Sequence, residues 1–307
     1  MIRTLSFIFL TLLSFNCISV PAFTLAINQH CWVEELPTMK SEFVFYEGGC
    51  VKGKANGIGE ATWFNKEREV IGVTRGTFTN GVLAGSIYYS NRKEKFVYTG
   101  EIIDGFYNGT GTLIINDLIY KGLFKNGEFN GYGMIEQFDG TLIKGWFKED
   151  KLNGYGHISF KNGLIKEGNF IDWKLNGYGI EKYPDGGRYE GSFKNGSYDG
   201  LGILFKPNGE EMPVAYFSNG KFVQVAVSTP RSYFSDLSQL FKPSIKISEE
   251  QENELNSRIN RMQPLFNGSQ SVNIISPNGS VRTGSMWSNK RPGSSSLGGG
   301  TFIQLDK

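Results

Sequence analysis

One glycine recurs along most of the chain in a similar local sequence. A polar residue comes directly before it, and the residue before that is tyrosine in four of the seven cases. This glycine appears as Gly48, Gly76, Gly100, Gly122, Gly145, Gly168 and Gly191, so that successive marks are 28, 24, 22, 23, 23 and 23 residues apart. A second mark, Gly-x-Gly, begins nine residues after the first in six of these units, and the unit of Gly76 keeps only the first of its two glycines, Gly85. Two marks in phase over about seven units indicate a repeated structural element.

Within each unit the residues alternate in the way that a β-strand requires. An apolar residue stands two positions after the first glycine in six units, as Phe78, Ile102, Phe124, Phe147, Phe170 and Phe193. Turn pairs follow in four of them, as Asn80-Gly81, Asp104-Gly105, Asn126-Gly127 and Asn195-Gly196. Asn-Gly and Asp-Gly between alternating segments favour two-residue hairpin turns, because both turn positions need positive φ. Further turns are expected at Asp139-Gly140, Asn162-Gly163, Asp185-Gly186 and Asn208-Gly209.

A lone hairpin cannot bury its apolar face, so we expect the units to stack on one another. The sequence therefore predicts an all-β fold, an elongated, twisted stack of β-hairpin repeats over residues 46–223. The prediction adds a short C-terminal helix and a disordered tail.

The unit Tyr189-Glu190-Gly191-Ser192-Phe193-Lys194-Asn195-Gly196, followed by Gly200-Leu201-Gly202, resembles the MORN repeat. That consensus runs Tyr-x-Gly-x-Trp/Phe-x-x-Gly and then Gly-x-Gly. The resemblance covers about residues 46–222, with Ile143 and Lys166 in place of the leading Tyr in two units. A half unit at 215–220 has Ala where the glycine belongs and is expected to cap the array. The resemblance implies a scaffold for protein–protein assembly, with lipid binding claimed for some MORN-like arrays.

The repeated glycines are interpreted as structural, since they permit positive φ and close approach of strands. They are Gly100, Gly109, Gly111, Gly122, Gly131, Gly133, Gly145, Gly154, Gly156, Gly168, Gly177, Gly179, Gly191, Gly200 and Gly202. Tyr132, Tyr155 and Tyr178 recur between paired glycines, and they are the candidate binding surface: an exposed ladder of rings could stack on a partner. The alternative is that these rings pack between units.

The N-terminus is typical of a signal peptide, predicted at residues 1–26. Arg3 precedes a short apolar run from Leu5 to Phe15, and cleavage is expected after Ala22 or Ala26. An uncleaved anchor helix is the alternative. After cleavage no transmembrane segment is expected, and a lead-in at 27–45 connects to the repeats. Two cysteines then remain, Cys31 and Cys50, which in an oxidising compartment favour a disulfide.

The composition changes after the array. Residues 224–266 are read as a linker and a helix, because Ser248-Glu249-Glu250-Gln251 matches a capping box and Pro264 ends the apolar spacing. We expect this helix either to cap the open end of the array or to pair with a second copy or another protein. Residues 267–307, rich in Ser, Gly and Asn, are predicted to be disordered.

Charge and chemistry limit the function classes. Residues 46–223 hold 21 Lys or Arg and 21 Asp or Glu, which disfavours nucleic acid as a partner because it is bound through clustered positive charge. With two histidines and no nucleophile motif, the sequence predicts no catalytic residue, no metal site and no cofactor. The expected function is a secreted or periplasmic scaffold that binds a protein or itself. A glycan or a phospholipid surface is the alternative ligand.

Overall fold

The fold is nearly all β, and successive strands run antiparallel along the chain. The computed structural model describes residues 22–28, 30–36, 40–92, 96–226, 253, 257, 270–275 and 281–286. The strands are β1 (Ala22–Leu25), β2 (Trp32–Glu35), β3 (Phe43–Val51), β4 (Lys54–Phe64), β5 (Val70–Thr79), β6 (Val82–Asn91), β7 (Phe96–Ile103), β8 (Phe106–Ile115), β9 (Leu118–Lys125), β10 (Glu128–Gln137), β11 (Leu142–Lys148), β12 (Lys151–Ser159), β13 (Ile165–Ile171), β14 (Lys174–Lys182), β15 (Arg188–Lys194), β16 (Ser197–Phe205), β17 (Ala215–Ser218), β18 (Lys221–Val225), β19 (Gln270–Ile275) and β20 (Val281–Met286).

Strands β3 to β18 form one long sheet in which each strand pairs with the next along the chain. The predicted stack of β-hairpin repeats is therefore confirmed. Of the predicted C-terminal helix, only Asn253 and Ser257 belong to the described residues, and both are helical.

The two-residue turns have the backbone that their sequences predict. Asn126 and Gly127 adopt φ of 51° and 89° between β9 and β10, and the other three predicted pairs behave alike. Two further turns reach the same geometry without glycine, at Glu149-Asp150 and Asp172-Trp173. These residues pay a conformational cost, and their surroundings compensate for it: the Trp173 ring, for example, contacts the ring of Phe147 at a centroid distance of 5.8 Å.

The single sheet encloses its own core because its hairpins bend at the repeat glycines. The pairing register shifts next to them, for example between Gly145 and Phe147 and between Gly191 and Phe193, and such bulges bend and twist a strand. Residues of one face, here called the core face, are buried, as Tyr120, Phe124 and Phe129 show. Residues that alternate with them on the opposite, outer face are mostly half-buried.

Hydrogen bonds tie six of the tight turns to the preceding unit. The N–H of Gly127 donates to the carbonyl of Tyr107 at 2.9 Å, and the N–H of Gly196 donates to that of Leu175 at 2.8 Å. The same contact joins four more turns to their preceding units: Gly81 to Ala55, Asp150 to Phe129, Trp173 to Leu152 and Gly220 to Tyr198. These units thus present a carbonyl that the next unit needs, which couples neighbours in a one-dimensional array.

The opposite edge carries a second series of turns. The side chains of Asp139, Asn162, Asp185 and Asn208 each accept a hydrogen bond from the backbone N–H two residues later, at 2.7 to 3.1 Å. Such Asx turns are the reason that Asp and Asn recur at these positions. At each of these turns five residues separate the last two paired residues, whereas the turns of the other edge have two.

The N-terminal end of the array is covered by β1 and β2. Strand β2 places Trp32 beside Lys54, and the N–H of Trp32 donates to the carbonyl of Gly53 at 2.9 Å. Val33 is fully buried, as is Ala55, the small residue that stands where later units have Phe129 or Tyr198. The alanine leaves room for this segment to enter the core.

Cys31 and Cys50 form the predicted disulfide, with their Cα atoms 6.0 Å apart. Strand β1 consists of residues that lie inside the predicted signal peptide. It pairs with β2 from Ala22 opposite Glu35 to Leu25 opposite Trp32. The apolar run that supports the signal prediction lies outside the described residues.

Strands β19 and β20 lie within the tail for which the sequence predicts disorder. They form a separate two-stranded antiparallel sheet, joined by residues 276–280. The Ser/Gly/Asn-rich composition of the tail conceals two short segments with Val and Ile, separated by Pro277-Asn278-Gly279, which are ordinary strand and turn signals.

Candidate binding surface

The leading tyrosine of a repeat lies flat on the glycines of its own unit. Tyr120 is fully buried, and its ring occupies the space where a Cβ of Gly122 or Gly133 would be. Its hydroxyl donates to the carbonyl of Leu123 at 2.8 Å. Burial raises the pKa of this hydroxyl well above its usual value. The paired glycines therefore form a seat for an aromatic ring, and Tyr46, Tyr98 and Tyr189 use the same seat.

In the units of Ile143 and Lys166, which lack this tyrosine, a leucine from the other strand fills the seat. A Cβ on Gly145 would approach Leu152 Cδ1 to 2.8 Å, and a Cβ on Gly179 would approach Leu175 Cδ2 to 3.0 Å. Both leucines are buried. The core is thus continuous across the units of Ile143 and Lys166, although the row of tyrosines is not.

The candidate residues Tyr132, Tyr155 and Tyr178 all lie on the outer face, and all three are half-buried. Their strand partners on this face are Trp146, Asn169 and Ser192, respectively. We call these six residues the outer row. The structure brings the three tyrosines to one row at equivalent positions, separated by the side chains of the intervening strands.

Trp146, Asn169 and Ser192 were not among the candidates from the sequence. A signal for them existed, because each directly follows the first glycine of its unit and so alternates with the buried residue that comes next. The ring of Trp146 contacts that of Tyr132 edge-on, with centroids 6.3 Å apart. The outer row therefore has two adjacent aromatic side chains at this end.

At two of the Gly-x-Gly pairs the first glycine makes room for the outer row, whereas a Cβ on Gly177 would meet nothing within 4 Å. Gly154 has a φ of +119°, and a Cβ at this position would lie 3.0 Å from the Cβ of Trp146. Gly200 stands in the same relation to Ser192. A side chain here would be strained by the backbone and would also press on the outer row.

A second row of outer-face residues runs beside the first. Strand pairing places Lys144 opposite His157, His157 opposite Glu167, and Glu167 opposite Ile180. The Tyr155 hydroxyl donates to Glu167 Oε1, which links the two rows, and His157 Nδ1 lies 3.8 Å from Glu167 Oε2. The nearby imidazole of His157 and the hydrogen bond from Tyr155 lower the pKa of Glu167 to about 2 against the effect of burial.

The hydroxyls of the outer row are weak acids. Burial, with the negative charge of Glu190 as a smaller cause, raises the pKa of Tyr178 to about 12. Burial and the hydrogen bond to Glu167 raise the pKa of Tyr155. These groups therefore act as neutral hydrogen-bonding groups at physiological pH and not as nucleophiles.

Charges on this face are paired locally. Lys121 Nζ lies 3.6 Å from Glu136 Oε1, and Arg188 Nε lies 2.6 Å from Glu190 Oε1. Pairs of opposite sign leave little net field over the surface.

Within the described ranges, no three His, Cys, Asp or Glu side chains come together as a metal site would require. The described part of the chain also has no helix with the length and apolar character needed to cross a membrane.

Comparison with known proteins gives one clear result. No curated protein matches the chain. Among solved structures, it is similar to the TCP domain of SAS-4 (dCPAP) from Drosophila melanogaster, solved in complex with a proline-rich motif of Ana2 (dSTIL). The identity is 14%, the match covers 52% of this chain and 84% of that one, and the TM-score is 0.33. A likeness at this TM-score is too weak to assign a fold or a function.

A family model gives the stronger match. The model of the MORN repeat matches residues 98–117, 120–141, 145–165, 167–188 and 189–211. These ranges contain the ring seats of Tyr98, Tyr120 and Tyr189 and the whole outer row. Residues 98–211 of this chain therefore contain five MORN repeats.

Proposed function

We propose that this protein is a non-catalytic scaffold of about seven MORN-like units that binds another protein outside the cytoplasm through its outer face. The observation that carries the proposal is the outer row. It presents half-exposed aromatic and polar side chains at regular intervals across strands β10 to β15. Tyr and Trp at such positions supply large contact areas together with polar groups, as protein interfaces use them.

The second row supports the same function. Lys144, His157 and Glu167 lie beside the aromatic side chains and carry both signs of charge. A surface of balanced charge with aromatic anchors suits a protein partner better than a polyanion, which requires clustered cations. The weakly acidic hydroxyls of Tyr155 and Tyr178 fit binding rather than catalysis.

Site-specific photo-crosslinking tests this proposal. A photoreactive phenylalanine analogue replaces Tyr155 or Tyr178 in the full-length chain, expressed in its own host. The controls carry the analogue at Lys125 and Lys161, which are exposed on the two turn edges. We expect an adduct of defined mass with a protein from the outer-row positions and not from the edges. Equal adducts from all four positions would contradict the proposal.

Glycan or phospholipid binding is the second candidate. The adjacent rings of Tyr132 and Trp146 favour it, because aromatic faces can stack on sugar rings. In this case the outer-row probes give no protein adduct. The purified chain then sediments with host cell-wall glycan or with vesicles of host phospholipid, and Trp146→Ala abolishes the sedimentation.

A further inference from the structure

The outer row continues toward the C-terminal end of the array in the same register. Leu201 stands between the two glycines of its Gly-x-Gly pair, as Tyr178 does in the preceding unit. It is half-buried, and it pairs with Tyr216, which is 41% exposed. Every second strand from β10 to β16 therefore carries one large side chain at this position, and these are Tyr132, Tyr155, Tyr178 and Leu201.

The four large side chains stand at equal intervals along the array. Each is the fifth residue of its strand, in β10, β12, β14 and β16. Positions at the middle of a strand lie close to the axis about which a sheet twists, so their separation follows the distance between strands. Neighbouring strands lie about 4.8 Å apart, so one interval is about 9.6 Å and three intervals span about 29 Å.

Among the regular conformations of a polypeptide, polyproline II has the repeat that fits this interval most closely. It has three residues per turn and a rise of about 3.1 Å, so one side of it recurs every 9.3 Å or so and three turns span about 28 Å. An α-helix returns to the same face after about seven residues, or about 10.5 Å, and overruns the four positions by about 2 to 3 Å. The same face of an extended strand recurs at about 6.7 Å, which does not match the interval.

The strands between the four large side chains carry polar groups that suit the same conformation. Asn169 of β13 and Ser192 of β15 are half-buried residues of the outer row, and each side chain can donate a hydrogen bond. A polyproline II segment has no internal hydrogen bonds, so its carbonyl oxygens are available as acceptors. The carbonyl oxygens inside an α-helix already accept hydrogen bonds from the helix itself. The two donors therefore match a polyproline II segment better than a helix.

We propose that the partner of the outer row is a proline-rich segment of another protein, which lies along the row in the polyproline II conformation. Every third residue of the segment contacts one of the four large side chains, so about ten residues cover all four. Carbonyl oxygens of the segment accept hydrogen bonds from Asn169 and Ser192. Aromatic surfaces bind such segments well because the extended chain is ordered before binding and loses little entropy. This inference rests on the proposed function and adds the class of the partner.

Synthetic peptides test the conformation of the partner. A fluorescein-labelled polyproline of about twelve residues, which is four turns, is titrated with the purified full-length chain and followed by fluorescence anisotropy. The controls are a flexible Ser-Gly peptide of the same length and an amphipathic helical peptide with a leucine at every seventh position. We expect the polyproline to bind about ten times more tightly than either control. Polyproline that binds no better than one of the controls would overturn the inference.

Two variants test whether the peptide binds at the outer row. Tyr155→Ala removes one of the four large side chains and should weaken polyproline binding about tenfold. Asn169→Leu removes a donor but adds apolar surface, so we expect binding about three to five times weaker; tighter binding would exclude the hydrogen bond to the segment. Lys125→Ala, at an exposed residue on the tight-turn edge, is the matched control and should leave binding unchanged. An equal loss in Lys125→Ala and Tyr155→Ala would place the peptide elsewhere and overturn the inference.

The result is read together with the photo-crosslinking from Tyr155 and Tyr178. Protein adducts from these positions without polyproline binding would leave the protein-binding function in place and overturn the conformation assigned to the partner. The absence of both adducts and polyproline binding would overturn the two proposals together.

Discussion

The ring of Tyr120 lies parallel to the ring of Phe129, nine residues later, with their centroids 3.6 Å apart. The same pairing recurs between Tyr98 and Tyr107 at 3.9 Å and between Tyr189 and Tyr198 at 3.8 Å. Where the leading residue is Ile143 or Lys166, the residue nine later is Leu152 or Leu175. In these three units a ring on the glycine seat accompanies a ring above it, and the units of Ile143 and Lys166 use leucine in its place. The unit of Tyr46 differs, because Ala55 stands nine residues after its tyrosine.

We expect Tyr120→Ile and Phe129→Leu to show strong coupling. Each alone breaks a stacked pair and leaves space, which costs about 2 to 3 kcal/mol. Together they reproduce the combination of Ile143 with Leu152, so the double variant should lose about 1 kcal/mol less than the sum. A double-mutant cycle by urea unfolding measures this difference. Simple additivity would contradict the pairing rule.

Gly133→Ala should be among the most damaging single changes in the array. A Cβ at this position would meet the ring carbons of Tyr120 at 2.5 and 2.6 Å, so we expect a loss of more than about 3 kcal/mol from overpacking. The matched control is Gly209→Ala, where a Cβ meets nothing within 4 Å and only the backbone φ of +83° opposes the change. That control should cost about 1 kcal/mol.

The Tyr120→Ile background tests the cause. With the ring removed, the cost of Gly133→Ala should fall to that of the control. A cost that stays the same in both backgrounds would assign the damage to the backbone.

Asp150 should make the stability of the array depend on pH. Burial raises the pKa of this carboxyl to about 6, while a hydrogen bond accepted from the N–H of Phe129 opposes the rise. Because the folded-state pKa is above the ordinary value of 3.8, the stabilising contribution is complete below pH 3.8 and is lost as the pH rises through 6.

Asp150→Asn retains the acceptor oxygen and removes this titration. We expect the variant to be about 1 kcal/mol more stable than the parent at pH 7, after allowance for the partial exposure of the carboxyl, and to match it near pH 3.5. Urea unfolding across this range measures the difference. A difference that is constant with pH would contradict the assignment.

The disulfide should stabilise the N-terminal end. Cys31 and Cys50 are 19 residues apart in sequence, a loop whose closure is worth about 3 kcal/mol. Reduction should lower the melting temperature of the parent, and the Cys31→Ser, Cys50→Ser variant should show the lower value with or without reductant. If reductant still lowered the melting temperature of that variant, the effect of reduction would not come from the Cys31–Cys50 bond.

N-terminal sequencing of the protein from its host distinguishes the two expected cleavage sites. Cleavage after Ala26 would remove β1 and Ala26, whose N–H donates to the carbonyl of Cys31 at 2.7 Å. Cleavage after Ala22 leaves most of that strand. We therefore expect the mature chain to begin at Phe23; a start at Ile27 would contradict the role of β1 in the folded protein.

Much of the architecture could be predicted from the sequence because glycines and Asn-Gly pairs act locally. A turn such as Asn126-Gly127 needs positive φ at two positions, and few other residue pairs provide it. The turns at Glu149-Asp150 and Asp172-Trp173 were not predictable in this way, because contacts with the preceding unit hold them. Such contacts join residues that are far apart in sequence, so local sequence patterns do not reveal them.

The candidate binding surface was only partly predictable. The spacing of Tyr132, Tyr155 and Tyr178 placed them on one face, but it did not reveal that Trp146 lies beside the first of them. The pairing register between β10 and β11 makes these two residues neighbours, and the spacing of the tyrosines does not reveal that register. The hairpin β19–β20 was missed for another reason, since average composition describes a tail poorly when two short strands are embedded in it.

The link between Cys31 and Cys50 gives the array a direction. A stack of coupled units loses its terminal members first, and here one terminus is held by a covalent bond while the other ends at β18. Heat or mechanical force should therefore unravel the protein from its C-terminal end, unit by unit toward the N-terminus. The number of units that remain folded would then show how far the unfolding has proceeded.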